Sequence, residues 1–393
     1  MGKYDQYKEK MQKIADVKYT LAVLQWDQET YLPPKGASFR GRQIASLSEL
    51  VHQLSTEESL GHLLKELENE KGLSAHEKKN VSLTLEDFNK QKKYSPAFVR
   101  RLSETIARSF HSWLAARKEN SFSLFQKDLA ELIELKKQEA DILGYKEHPY
   151  DALIDEFEKG ATVSLLDKTF AGLQPSLKNL LGEILEKTQV DDQFLQQYFS
   201  KQKQWDFGMD LIKNIGFDFE AGRQDISEHP FTVSFNKNDV RITTRINEKD
   251  FGSMTWSCIH EAGHALYEQG LPESEYGLPG GEYASLSIHE SQSRLWENNV
   301  GRSHGFWKYH YPKLQEYFPD QLRTIGLTDF YQGINKVQAS CIRTEADELT
   351  YHFHVMIRYE IEKLLIEGNL SVPEIPAYWN EQYENYLQVQ VPD

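Results

Sequence analysis

The pair His260 and His264, with Glu261 beside the first, constrains this chain more than any other feature. A helix brings side chains four residues apart onto one face, one turn apart, where two imidazoles can grip a single ion. Residues 258–270 read Cys-Ile-His-Glu-Ala-Gly-His-Ala-Leu-Tyr-Glu-Gln-Gly. Trp256, Ile259, Leu266 and Tyr267 give this segment apolar positions, so the helix is expected to be buried. Gly263 suits a helix that another backbone crosses closely. Glu261 projects beside the ion rather than at it, where it can take a proton from a metal-bound water. Cys258 does not fit the ligand spacing and reads as a small core residue.

A catalytic zinc takes a third protein ligand and keeps a fourth position open. The segment 281–297 is a strong helix candidate, and Leu278-Pro279-Gly280-Gly281 is the turn that would lead into it. Two antiparallel helices joined by such a loop would bring Glu290, 26 residues after His264, onto the ion. Two neutral imidazoles and one carboxylate leave the site at net +1, which keeps zinc a useful Lewis acid. On spacing alone, His289 and Glu297 remain open as the third ligand.

Helix signals recur along the rest of the chain. Ser55-Thr56-Glu57-Glu58 has capping-box spacing ahead of Leu60, Leu63 and Leu64, and Ser74 with Glu77 repeats it ahead of Val81, Leu85 and Phe88. Ser95-Pro96 opens a helix through Phe98, Val99 and Leu102, and Ser121 another that ends near Gly144. Pro33-Pro34 breaks the first helical stretch, and Gly160, Gly270, Gly301 and Gly368 sit where later helices should stop. One region differs: 231–235 and 240–246 are β-branched, roughly alternating and split by Asn236-Lys-Asn-Asp239, a hairpin pattern. The expected fold is mainly α, a large helical body with a small antiparallel sheet near residues 230–247.

Composition sets outer bounds. With 45 basic and 60 acidic residues the net charge is −15, a surface that repels phosphate backbones, so nucleic acid is not an expected partner. Two cysteines, Cys258 and Cys341, exclude a disulfide framework. Met1–Gln12 is polar and lacks the apolar stretch of a secretory signal, and no apolar run is long enough to span a bilayer. A cytoplasmic protein without a membrane partner is expected.

Five ordered motifs carry a resemblance. They are His229-Pro230-Phe231; Asp239-x-Arg241-x-Thr243; His260-Glu261-Ala-Gly-His264; His289-Glu290-Ser291-Gln292; and Ile342-Arg343-Thr344-Glu345-Ala346-Asp347-Glu348. The stretch Leu24–Pro34 and Tyr150-Asp151-Ala152-Leu153-Ile154 agree with them. Together these resemble the M32 metallocarboxypeptidases, the thermostable carboxypeptidase group, over essentially the whole chain. The resemblance implies a helical, saddle-shaped peptidase fold with a deep groove, one zinc per chain with cobalt as a substitute, and a homodimer. It implies peptide substrates with a free C-terminus, broad side-chain tolerance and a dislike of terminal proline. It makes Glu290 the third ligand. It also implies one catalytic domain over 1–393 that lacks the family's C-terminal segment, where a Gln-Asp-x-His-Trp motif approaches the substrate.

A carboxypeptidase must hold a free carboxylate, and the planar fork of arginine does this with two parallel hydrogen bonds. Arg343 is the first candidate, since the family motif puts it in the active site, and Arg241 the second. A hairpin beside the groove can take the substrate backbone as an added strand, which gives Asp239 and Thr243 positioning roles and His229 a substrate contact. Carboxylates Glu345, Asp347 and Glu348 are candidates to hold the second N–H of the metal-binding imidazoles. His304, His310, His352 and His354 read as structural or exposed. An aminopeptidase or endopeptidase on a similar metal site, and a groove that binds peptide without cleaving it, are the competing readings.

Overall fold

The computed structural model describes residues 2–227, 229–343 and 346–392. Thr344 and Glu345 of the fifth motif lie outside the described residues. The chain forms two compact units, Met1–Gln91 with Asp191–Ile334, and Lys92–Val190 with Asn335–Asp393.

Helices dominate both. In chain order, the first unit opens with α1 (Lys3–Thr30), α2 (Ala37–Ser55), α3 (Glu58–Glu68) and α4 (Ala75–Gln91). The second unit continues with α5 (Pro96–Glu119), α6 (Ser123–Leu143), α7 (Pro149–Ile154) and α8 (Val163–Leu185). The chain returns to the first unit for α9 (Lys201–Asn214), β1 (Gly222–Ile226), β2 (Thr232–Asn236), β3 (Asp239–Thr244), α10 (Phe251–Gln269) and α11 (Leu286–Arg294). A π-helical stretch, Leu295–Val300, continues α11, and α12 (His304–Tyr317), α13 (Pro319–Leu322) and α14 (Leu327–Ile334) complete that unit. The second unit ends with α15 (Tyr351–Glu367) and α16 (Ile375–Leu387). No described helix is long and apolar enough to cross a membrane.

The local signals were mostly sound. Ser74 and Glu77 form the reciprocal capping box, with the Glu77 amide donating to Ser74 Oγ at 3.2 Å and the Ser74 amide to Glu77 Oε2 at 2.8 Å. Ser95 accepts from the Phe98 amide ahead of α5, and Gly368 closes α15 in the left-handed conformation at φ 82°. Ser55 departs from its expected role: it ends α2, and Glu57 precedes α3 without a side-chain cap. Ser121 bonds Ser123 Oγ at 3.0 Å instead of capping α6.

The hairpin of β2 and β3 is antiparallel, with Val233 opposite Arg241. The sheet has a third strand outside 230–247, because β1 pairs parallel to β3 in the order β1-β3-β2. β2 is therefore an edge strand of a mixed sheet.

Three clusters fill the first unit. Phe199, Phe207, Phe251, Trp307, Phe318 and Phe330 form an aromatic bed. Ile212, Val240, Ile242, Met254, Cys258 and Ala262 join the sheet to α10. Tyr7, Leu60, Leu64, Leu67, Val81 and Phe88 bind α1, α3 and α4. In the second unit, α15 and α16 share Phe353, Ile357, Ile361, Tyr383 and Leu387 with Leu181 of α8. His354 is fully buried there, its Nδ1 2.9 Å from the Tyr383 hydroxyl.

Candidate metal centre

α10 is the beam of the site. Asp250 caps it, accepting from the Gly252 amide at 2.8 Å. Its apolar faces are held on both sides, Phe251 and Ile259 in the aromatic bed and Met254, Cys258, Ala262 and Ala265 against the sheet. Cys258 is fully buried, as its core role requires. Gly263 lets α11 cross at backbone distance: a Cβ there would stand 2.7 Å from Ser293 Cα and 3.0 Å from the Gln292 carbonyl oxygen. Ser285 caps α11 by accepting from the Ile288 amide.

This crossing brings His260, His264 and Glu290 together, with one donor atom from each lying within 4.8 Å of the others. His260 Nε2 stands 3.6 Å from Glu290 Oε2, and His264 Nε2 stands 3.4 Å from the same oxygen. Ligands about 2.0–2.2 Å from a tetrahedral ion stand roughly 3.4 Å apart, so the set has the spacing of an ion's coordination shell. Among the described residues no other three His, Cys, Asp or Glu side chains converge in this way. Burial opposes ionisation of Glu290, yet His264, His260 and Arg294 overrule it and hold its carboxyl down at about 2. Arg294 reaches Glu290 Oε1 at 3.0 Å.

Glu261 is buried beside the triad. Thr232 on β2 donates to its Oε2 at 2.6 Å. Burial pushes its carboxyl up, against the pull of His260, Thr232 and His264.

The two residues left open by spacing occupy the outer layer. Glu297 Oε2 lies 2.8 Å from His260 Nδ1 and accepts from Arg294 Nη1 at 3.0 Å, with Arg302 Nη2 3.8 Å from its other oxygen. His289 Nδ1 lies 2.5 Å from His264 Nδ1, and its Nε2 lies 2.7 Å from Glu268 Oε1. Of the carboxylates expected in this layer, Glu345 lies outside the described residues. Asp347 accepts from the Leu349 and Thr350 amides within the second unit, and Glu348 is exposed. Sequence reasoning missed Thr232, Glu268 and Arg294; the available signal was that Glu268 and Arg294 each come four residues after His264 and Glu290, on the same helix faces.

A groove of about 1110 Å³ opens over the centre. Its floor carries Glu261, His264 and Glu290, and one wall is the edge of β2 from Phe231 to Ser234. Lys18, Tyr19 and Gln25 of α1 line another side.

The remaining expected contacts have these surroundings. Asp239 takes the fork of Arg241 in two bonds of 2.8 Å, and the guanidinium lies over the Trp26 ring at 4.5 Å and the Phe235 ring at 4.9 Å. Thr243 is fully buried, bonded to Ser227 Oγ at 2.7 Å and accepting from the Phe231 amide at 3.0 Å. His229 is exposed, and its carbonyl accepts from Ser227 Oγ at 2.6 Å. Arg343 belongs to the second unit, where its Nη1 donates to the Tyr351 hydroxyl at 2.9 Å.

The description of the family "Carboxypeptidase Taq (M32) metallopeptidase" fits residues 6–393. Carboxypeptidase 1 of Bacillus subtilis is 38% identical over 381 residues, 96% of this chain and 76% of that protein. Thermostable carboxypeptidase 1 of Thermus thermophilus is 37% identical over 389 residues, 95% of this chain and 75% of that one. The crystal structure of the M32 carboxypeptidase from Deinococcus radiodurans superposes with a TM-score of 0.97 at 36% identity, covering 100% of this chain and 79% of that one. On the matching profile and on these relatives, the chain belongs to the M32 family of metallocarboxypeptidases.

Proposed function

We propose that this chain is a zinc carboxypeptidase that removes the C-terminal residue of peptides, with His260, His264 and Glu290 holding the metal and Glu261 as general base. The observation that carries the reading is the convergence of two imidazole nitrogens and one carboxylate oxygen at coordination spacing, with the buried Glu261 beside them. The nitrogen-rich donor set suits zinc, and it accepts cobalt in the same geometry.

The metal, when bound, supplies Lewis acidity toward the scissile carbonyl and the attacking water. Glu261 takes the proton from that water and passes it to the departing amine. Thr232 occupies one of its carboxylate oxygens and leaves the other for the proton. Burial favours the protonated carboxyl, so the proton taken from water is held until the amine can receive it.

The edge of β2 supports backbone recognition: an extended peptide can pair with its main-chain groups, a contact that tolerates many side chains. Asp239, Arg241 and Thr243 brace β3, on which that edge rests, and His229 at the start of the segment is assigned a substrate contact. Recognition of the free carboxylate is assigned to Arg343. A homodimer, on the family resemblance alone, and a cytoplasmic location complete the reading.

Zinc content and amino-acid release measured together test it. One zinc per chain, release of a single terminal residue from unblocked peptides, and no turnover of the C-terminally amidated peptide are expected. Cleavage of the amidated peptide would make the chain an endopeptidase or aminopeptidase. Turnover by wild type no higher than the background level of Glu261→Gln would leave a peptide-binding groove.

A further inference from the structure

The proposed mechanism leaves a half-buried histidine and a buried glutamate without a task. His289 and Glu268 are 14% and 9% exposed at their side chains, and neither contributes to the His260, His264, Glu290 cluster. They are not isolated. His264 Nδ1, His289 Nδ1, His289 Nε2 and Glu268 Oε1 form a continuous line with separations of 2.5 Å across the two imidazoles and 2.7 Å to the carboxylate. The His289 ring is fixed by its neighbours, with the Tyr267 ring 5.5 Å away, Tyr283 5.0 Å and His264 4.5 Å.

The protons in this line have one arrangement that satisfies every atom. If His264 Nε2 faces the metal, its Nδ1 carries the hydrogen and donates to His289 Nδ1. His289 then carries its own hydrogen on Nε2 and donates it to the carboxylate of Glu268. We infer that His289 is a positioning residue that fixes the tautomer and ring orientation of His264, and that Glu268 acts on the metal site only through His289. This inference rests on the proposed metal site. It differs from the other side of the triad, where Glu297 meets His260 directly. Partners that hold the second nitrogen of a ligating imidazole raise metal affinity by about 10–100-fold.

The geometry also argues against His289 as a ligand in its own right. Its Nδ1 faces a histidine nitrogen, and its Nε2 is committed to Glu268. Turning either nitrogen to the metal would strand the carboxylate of Glu268, which is 7% exposed as a residue.

The test is zinc affinity of the full chain, by competition with a chelator, for wild type, His289→Phe, Glu268→Gln and the double variant. Phenylalanine keeps the ring between Tyr267 and Tyr283 but removes both nitrogens. A loss of about 10–100-fold in zinc affinity is expected for His289→Phe, with a smaller loss for Glu268→Gln. The double variant should bind no more weakly than His289→Phe, because Glu268 has nothing to act through once the imidazole is gone. In the cobalt-substituted protein the visible d–d bands should shift in His289→Phe and keep their four-coordinate intensity. Wild-type affinity in His289→Phe, or losses that multiply in the double variant, would overturn the inference. Loss of a coordination position in the cobalt spectrum would make His289 a ligand and overturn it too. Should His289→Phe fail to fold, Glu268→Gln keeps the shape of the native side chain, and unchanged zinc affinity there is decisive against the relay. If wild type itself binds no zinc, the metal reading fails, and that result is distinct from each of these.

Discussion

The two histidines of the triad are supported in opposite ways. On the His260 side a single buried carboxylate, Glu297, meets the ring and is gripped by Arg294, with Arg302 near its other oxygen. On the His264 side the contact runs through His289 to Glu268, and all three of these residues line the groove. One support is built into the core and the other into the wall that substrate would pass. The charges around the two carboxylates differ as well: Glu297 is held by Arg294 with Arg302 near its other oxygen, whereas Glu268, no less buried, meets an imidazole.

The comparison can be broken or sharpened by a graded set of changes. Glu290→Ala, or removal of metal by a chelator, takes away what both sides hold; peptidase activity should fall to background, and wild type should recover on adding zinc. Glu261→Gln touches neither support, so it should bind zinc like wild type while turnover drops by about 10²–10⁴-fold. Glu297→Gln leaves the guanidinium groups of Arg294 and Arg302 without their buried anion. It should weaken zinc by about 10–100-fold and also lower the melting temperature of the metal-free protein, an effect Glu268→Gln should not share. Gly263→Ala pushes the α11 backbone away from both histidines alike. A stability loss of about 1–3 kcal/mol by denaturant titration is expected, with a parallel loss of zinc affinity.

The smallest effect lies in the second unit and serves as a control. Burial holds the His354 imidazole down to about 4, with Arg358 and Arg343 adding to the shift. The unfolded chain then binds the proton more readily, so stability falls as pH drops from about 6.5 toward 4. His354→Gln should flatten that part of a melting-temperature profile without changing zinc affinity.

Much of this was legible in the sequence because it obeys a period. The His260 and His264 spacing dictates a helix, the β2–β3 hairpin alternates, and Ser74 and Ser95 sit at helix starts. What was hidden depends on contacts between distant segments. β1 reads Gly222-Arg-Gln-Asp-Ile, with one apolar residue in five, and becomes a strand because β3 offers it a parallel edge. Ser55 looked like a cap but was recruited as the last residue of α2. Spacing left Glu290, His289 and Glu297 equivalent, and the crossing at Gly263 separates their positions. The outer carboxylates Glu268 and Glu297 carry no mark of the imidazoles they meet, since a charged residue gives no signal of its partner.

The π-helical stretch Leu295–Val300 has a consequence for how this segment can vary. A π turn holds one residue more than the α turn it replaces. Deleting a single amino acid there would let the helix close into regular turns and change the direction in which residues inside the stretch leave the axis, swinging Glu297 away from His260. Surface loops absorb gains and losses of length readily, but the stretch from Glu290 to Glu297 has its residue count set by the ring nitrogen it must reach.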